Sequence, residues 1–195
     1  MMPDPALIAQ LFVLINPFSS LTVLLAAHGQ GLPVRRLAAG AVLTAFLVAV
    51  SLALVGPFLL RIFGISLDAF RIAGGIVLLL LGVETVRRRE DRQVPVSNLD
   101  SLMSILATPT MTGPATITYV TLKTHEIGLG PLLVNLTVAF AAVALVVGVF
   151  VLLIPRIHNR VVNIISRVLG LFLTAVAIEM MAKGLTGILA PLRAT

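Results

Sequence analysis

Six apolar runs, near residues 6–28, 37–60, 65–86, 101–122, 130–154 and 162–189, set the terms on which this chain can fold. Each is close to the 20 or so residues a helix needs to cross a hydrocarbon layer about 30 Å thick. A soluble protein of this size has no interior large enough to hide six such runs. Of the 195 residues, 58% are hydrophobic and 11% charged, against about 25% charged in an ordinary soluble domain. The expected fold is an all-α integral membrane protein: six transmembrane helices joined by short loops, with residues 1–195 as a single transmembrane domain. The first run lacks the basic leader and small-residue cleavage site of a signal peptide, so it is read as span one.

Charge gives the direction of threading. The loops after spans one, three and five hold Arg35, Arg36, Arg87, Arg88, Arg89, Arg92, Arg156 and Arg160, whereas the opposite loops and the tail hold Arg61, Lys123 and Arg193. Cytoplasmic loops carry the excess of basic residues. The Arg-rich loops are therefore expected to be cytoplasmic, in a cell membrane, with both termini extracellular or periplasmic. A net charge of +6 raises nucleic acid as a partner, but the basic residues sit in loops between apolar runs and not along one soluble face. The lipid bilayer is the expected partner and nucleic acid is not. With no Trp and one Tyr, arginines at span ends take over the anchoring in the headgroup region.

The stretch 87–100, RRREDRQVPVSNLD, is the one clear linker and divides the chain almost in half. Residues 1–90 form repeat one and residues 100–195 repeat two, three spans each. An odd number of crossings makes the second half enter from the opposite side, so the repeat must be inverted. Arg71-x-x-Gly74 at the start of span three matches Arg167-x-x-Gly170 at the start of span six. The first span of each half is interrupted near its midpoint, by Asn16-Pro17-Phe18-Ser19-Ser20 and by Thr108-Pro109-Thr110-Met111-Thr112-Gly113-Pro114.

Proline removes a backbone N–H and clashes with the carbonyl one turn back. Each break therefore frees backbone polar groups inside hydrocarbon, at several kcal/mol for each one left unpaired. Such groups persist where they line a polar cavity, and paired interruptions in two halves mark a transporter's binding site. Asn16, Ser19, Ser20, Thr108, Thr110, Thr112, Thr116 and Thr118 surround the breaks with an amide and hydroxyls. After each break a half-helix begins, its positive dipole end at the midplane and its first N–H groups free. Two such ends suit a carboxylate, while carbonyls and hydroxyls suit an ammonium group or Na⁺. A small zwitterionic solute fits both. The plainer alternative is that Pro17 and Pro109 only kink continuous helices.

Other intramembrane charges carry less information. Glu179 and Lys183 are spaced as an i, i+4 ion pair in span six, or else Glu179 carries a proton. Arg71, with Asp68 three residues before it, either snorkels outward or reaches toward the cavity. Glu84 reads as an anchor pairing with Arg87 or Arg88. Gly74, Gly75 and Gly82 let span three approach a neighbour closely. Without cysteine, and with His28, His125 and His158 at separate span ends, neither a structural metal nor a cofactor is expected. The sequence has no Gly-x-Ser-x-Gly, HExxH or Walker A pattern and no nucleophile with a base beside it, which argues against an enzyme and against direct use of ATP.

These motifs resemble the MarC family of six-span, SnatA-like neutral amino acid transporters, related in organisation to exporters of the LysE kind. Phe63-Gly64-Ile65-Ser66-Leu67-Asp68-Ala69-Phe70-Arg71-Ile72-Ala73-Gly74-Gly75 is similar to the family's Phe-Gly-Ile-Ser…Arg-Ile-Ala-Gly-Gly signature. Asn16-Pro17 resembles its Asp-Pro or Asn-Pro break, and Pro109 with Gly113-Pro114 its second break. The resemblance implies secondary transport of a small neutral amino acid such as glycine or alanine, coupled to Na⁺ or H⁺. Substrate-binding positions are then Asn16, Pro17, Ser19, Ser20, Thr108, Pro109, Thr110, Thr112, Gly113, Pro114 and Thr116, with Arg71, Asp68, Glu179 and Lys183 as a coupling or charge network. Two departures stand out: Asn16 where many members have Asp, and Ala115 where they have Gly. Without the carboxylate, a proton loses its natural carrier at the break and neutral oxygens remain, which suit Na⁺. An exporter of amino acids or other small molecules on the same fold is the alternative; a drug pump is disfavoured by the scarcity of aromatic residues. A homo-oligomer is compatible with all of this.

Overall fold

The computed structural model of the chain describes residues 3–87, 114–154 and 159–190, and these are almost entirely helical. Among these residues the helices are α1 (Pro5–Ile15), α2 (Pro17–Gly29), α3 (Val34–Ile62), α4 (Leu67–Arg87), α5 (Pro114–Ile127), α6 (Leu129–Leu153) and α7 (Asn159–Leu189). Four are long and apolar enough to cross a membrane: α3, α4, α6 and the Val162–Leu189 part of α7. They coincide with the expected spans two, three, five and six to within a few residues. Among the described residues the other two runs contain shorter pieces. α1, α2 and α5 have 11, 13 and 14 residues, or about 16, 20 and 21 Å at 1.5 Å per residue, short of a 30 Å layer.

The outer surface and the interior differ as a membrane protein requires. Leu43, Phe58, Leu80, Leu145, Leu152 and Leu171 are all more than half exposed, a surface that water would not tolerate and lipid does. Inside, α3 buries a line of small residues, Ala38, Ala45, Ala49, Ala53 and Gly56. Small side chains let helix backbones come close where no hydrophobic effect separates lipid from protein.

The tightest packing joins α4 to α7. Gly82 lies against Gly170 and Thr174, Gly75 against Ala177 and Met181, and Gly184 against Asp68 and Arg71. Position falls along α7 as it rises along α4, so the pair is antiparallel. A Cβ on Gly82 would sit 2.9 Å from both the Gly170 carbonyl oxygen and the Thr174 backbone nitrogen, neither of which can move without the helix. Gly82→Ala is therefore expected to destabilise the protein by about 1–3 kcal/mol, read as a lower thermal midpoint in detergent. Gly40→Ala on α3, where a Cβ meets nothing within 4 Å, is the control and should not lower it.

A set of polar contacts gathers five helix ends at one end of the bundle. The Asp4 N–H donates to Asn135 Oδ1 at 2.7 Å, joining the start of α1 to α6. Arg71 near the start of α4 pairs with Glu126 at the end of α5, and Asp68 packs on Gly184 and Gly187 near the end of α7. Gly128, at φ +84, turns the chain from α5 into α6 in a conformation that glycine adopts freely. Arg35, Arg36 and Arg87 lie at the other ends of α3 and α4.

Candidate functional site at the helix breaks

The interruption in span one is a single residue. Asn16 adopts φ 45 and ψ 64, the left-handed conformation, and among non-glycine residues it alone has positive φ in the described structure. Asparagine tolerates that region better than most side chains. Its N–H donates to the Phe12 carbonyl at 3.2 Å and closes α1, and Pro17, whose ring presets helical φ and whose missing N–H is not needed at a first turn, opens α2. The two ends of α1 contrast sharply. At its exposed start Asp4 caps it, the carboxylate accepting from the N–H groups of Ala6 and Leu7. At the buried break the Asn16 side chain makes no capping bond to α2. Asn16 is 7% exposed, and its Oδ1 is buried with no hydrogen-bond partner among the described residues.

The second interruption expected from the sequence adjoins α5, which begins with Pro114 among the described residues. Thr108, Pro109, Thr110, Thr112 and Gly113 lie outside the described residues. The first turn of α5 repeats the pattern seen at Asn16: Thr116 is 1% exposed, and its Oγ1 is buried with no partner among the described residues. A buried polar atom without a partner costs about 1–3 kcal/mol. Two of them, one at the Asn16 break and one in the first turn of α5, call for a physical explanation.

Gln10 and Tyr119 put the breaks on one scale. The Tyr119 hydroxyl donates to Gln10 Oε1, tying α1 to α5. From that bond both helices run away from the end where Asp4, Asn135 and Glu126 cluster. Asn16 comes six residues later on α1 and Pro114 five residues earlier on α5, about 9 and 8 Å along the two axes. Asn16 and the start of α5 thus lie at a closely similar distance from that bond. Ser20 and Thr118 are also buried on that side of the bond, and Thr121 beyond it, with the Thr118 side chain against Gly74 and that of Thr121 against Gly56.

A profile described as the MarC family integral membrane protein matches residues 6–189. The chain belongs to the MarC family. Among curated MarC-type relatives, the UPF0056 membrane protein MJ1677 of Methanocaldococcus jannaschii is 32% identical over 93% of this chain and 95% of its own length. The UPF0056 membrane protein YhcE of Escherichia coli is 33% identical over 69% of this chain and 68% of its own. The UPF0056 membrane protein YvbG of Bacillus subtilis is 23% identical over 91% of each. No solved structure matches the chain. The MarC match takes in Asn16-Pro17 and residues 108–114 alike, and it makes this an integral, multi-pass membrane protein.

Of the residues singled out in this MarC sequence, Asn16 and Pro17 form the break, Ser19 and Ser20 lie in the first turn of α2, and Pro114 and Thr116 in that of α5. Arg71 neither snorkels alone nor stands free. Its guanidinium holds Asp68 at 2.6 Å and Glu126 at 2.7 Å, and Glu126 also holds Lys123 at 2.7 Å. This chain of charges locks the start of α4 to the end of α5. Glu179 and Lys183 form the plain i, i+4 pair at 3.0 Å, both side chains about two-thirds exposed. No ion pair joins the exposed Glu84 to Arg87 among the described residues, and Arg88, the other expected partner, lies outside them.

Sequence reasoning passed over Gln10, Tyr119, Glu126 and Asn135. Gln10 and Asn135 carried a usable signal, because a lone amide inside an apolar run is costly unless it finds a partner. Glu126 carried none, since its partner Arg71 is 55 residues away.

Glu126 lies past the apolar run of span four. Burial acts to raise its pKa, but the hydrogen bonds from Lys123 and Arg71 outweigh it and hold the carboxyl below its ordinary value. A carboxyl with a lowered folded-state pKa contributes stability above its unfolded value, about 4.3, and loses it as pH falls through the folded value. The thermal midpoint is expected to be flat near neutrality and to fall in acid below that range. Glu126→Gln should start lower at pH 7 and show a smaller acid decrement.

Proposed function

We propose that this MarC protein is a secondary active transporter of a small neutral amino acid, glycine, alanine or similar, bound midway through the membrane between the two helix breaks. The observation that carries this reading is the pair of buried oxygens with no partner among the described residues, Asn16 Oδ1 at the break between α1 and α2 and Thr116 Oγ1 in the first turn of α5. An amide and a hydroxyl oxygen can accept from an ammonium group, while the uncapped start of α2 offers N–H groups to a carboxylate. Ser19, Ser20, Thr108, Pro109, Thr110, Thr112, Gly113 and Pro114 complete the site in this proposal. Asn at position 16 leaves neutral ligands there and favours Na⁺ over H⁺ as the coupled ion; proton coupling would turn attention to Glu179.

The proposed architecture is six spans in two inverted halves, repeat one 1–90 and repeat two 100–195, joined by the charged linker 87–100. α1 with α2 serves as span one and α5 as the second part of span four. The antiparallel fit of α4 on α7, the third span of each half, supports the inversion, as does the glycine-lined contact between them. Arginine in the loops after spans one, three and five supports a cell-membrane orientation with both termini outside. The Asp68–Arg71–Glu126–Lys123 chain then lies at the outer face and holds two spans together there. Transport follows as the halves rock about the fixed site.

The test is flux of labelled glycine and alanine in proteoliposomes under separately imposed Na⁺ and pH gradients, with the membrane potential controlled. Uphill uptake driven by one gradient supports the proposal and names the ion. Efflux from preloaded vesicles without uptake would favour the exporter reading on the same fold. No flux in either direction would overturn both.

A further inference from the structure

Away from the breaks, α3 and α6 enclose a groove of about 660 Å³ on the outer surface of the bundle. Its floor is the edge-to-face pair Phe46 and Phe140, with centroids 5.3 Å apart. Small residues, among them Ala144 and Gly148, give it depth, and Leu43 and Leu152 on its rims are 59% and 66% exposed. The lining is apolar but for Thr137, whose hydroxyl donates to its own helix at Leu133 O, and Arg35 at one end. Arg35 is exposed and no carboxylate among the described residues pairs with it.

The dimensions are those of one lipid leaflet. From Arg35 to Phe46 is about 16 Å along α3, and half the hydrocarbon thickness of a bilayer is about 15 Å. The groove therefore starts where headgroups lie, with a cation at its mouth, and ends on aromatic rings near the midplane. A cation at headgroup level attracts anionic lipid, and a dry apolar trough selects an acyl chain.

We propose that the α3–α6 groove is a specific site for an anionic phospholipid, one acyl chain lying along α3 down to Phe46 and Phe140 and the phosphate held by Arg35. The site is independent of the proposed transport path and is tested separately from it.

Native mass spectrometry of the full chain in mild detergent, titrated with phosphatidylglycerol or phosphatidylcholine, reads the site directly. The wild type should retain one phosphatidylglycerol per chain in preference to phosphatidylcholine. Arg35→Gln should weaken phosphatidylglycerol binding about fivefold, the effect of one basic side chain near a charged surface, and leave phosphatidylcholine unchanged. Gly148→Leu fills the groove where a Cβ meets nothing within 4 Å, so it should remove retention of both lipids without lowering the thermal midpoint. Ala144→Leu serves the same purpose should Gly148→Leu fold poorly. Retention of phosphatidylglycerol no better than phosphatidylcholine, or unaltered in the filled-groove variants, would overturn the proposal. So would a two-chain species that the filled-groove variants split, which would make the groove a contact between copies.

Discussion

Asn16→Gly is expected to lower amino acid flux by at least tenfold while leaving the thermal midpoint close to that of the wild type. The two halves of the residue's role separate cleanly at this position. Its backbone sits at φ 45, where glycine is at ease, so the break between α1 and α2 survives the change. Glycine adds about 0.5–1 kcal/mol of unfolded-state entropy to be lost on folding. Removing a buried amide oxygen that has no partner among the described residues returns about 1–3 kcal/mol, enough to offset that cost. What disappears is the amide assigned to the substrate. Asn16→Ala is the informative contrast, because a Cβ without a local hydrogen bond costs about 1–2 kcal/mol in the left-handed region. It should lose flux as Asn16→Gly does and melt below the glycine variant. Should Asn16→Gly transport as the wild type does, the amide has no part in binding.

Thr116→Val is expected to move stability and affinity in opposite directions. Valine has the shape of threonine, and the Thr116 hydroxyl is buried with no partner among the described residues. Its removal relieves a desolvated polar group, so the thermal midpoint should hold or rise, by the equivalent of about 1 kcal/mol. If that oxygen receives a hydrogen bond from substrate, the loss of about 1.4 kcal/mol weakens binding tenfold. A merely structural threonine would show the first effect without the second. Equilibrium binding of labelled alanine together with a melting curve distinguishes the two.

Spans two, three, five and six were legible because length and apolarity suffice to define a membrane helix, and α3, α4, α6 and α7 lie where those runs do. The break in span one was legible from Asn16-Pro17. Its sharpness was not, because the interruption reads as Asn16 through Ser20 and fits an open loop or a kink equally, whereas Pro17 restarts the helix at once. Gly74, Gly75 and Gly82 announced a close neighbour on α4, but any apolar run could have supplied it. Only the fold identifies Ala177, Met181 and Gly170 of α7 as the contact. The charge chain through Arg71 shows the same limit. Asp68 is visible three residues away, while Glu126 and Lys123 arrive by way of another helix. At the candidate site, sequence named the amide and the hydroxyls. It could not tell which would be left without partners, since that depends on packing in three dimensions.

The most direct test of a substrate site between the breaks uses the absence of native cysteine. Thr116→Cys provides a single thiol in the first turn of α5, and its reaction with a small thiol reagent can be timed in proteoliposomes. The account predicts modification at a measurable rate, slowed severalfold by saturating glycine or alanine and not by glutamate at the same concentration. A thiol that never reacts, or that reacts at one rate whatever amino acid is present while flux proceeds, would contradict it and place the path elsewhere in the molecule.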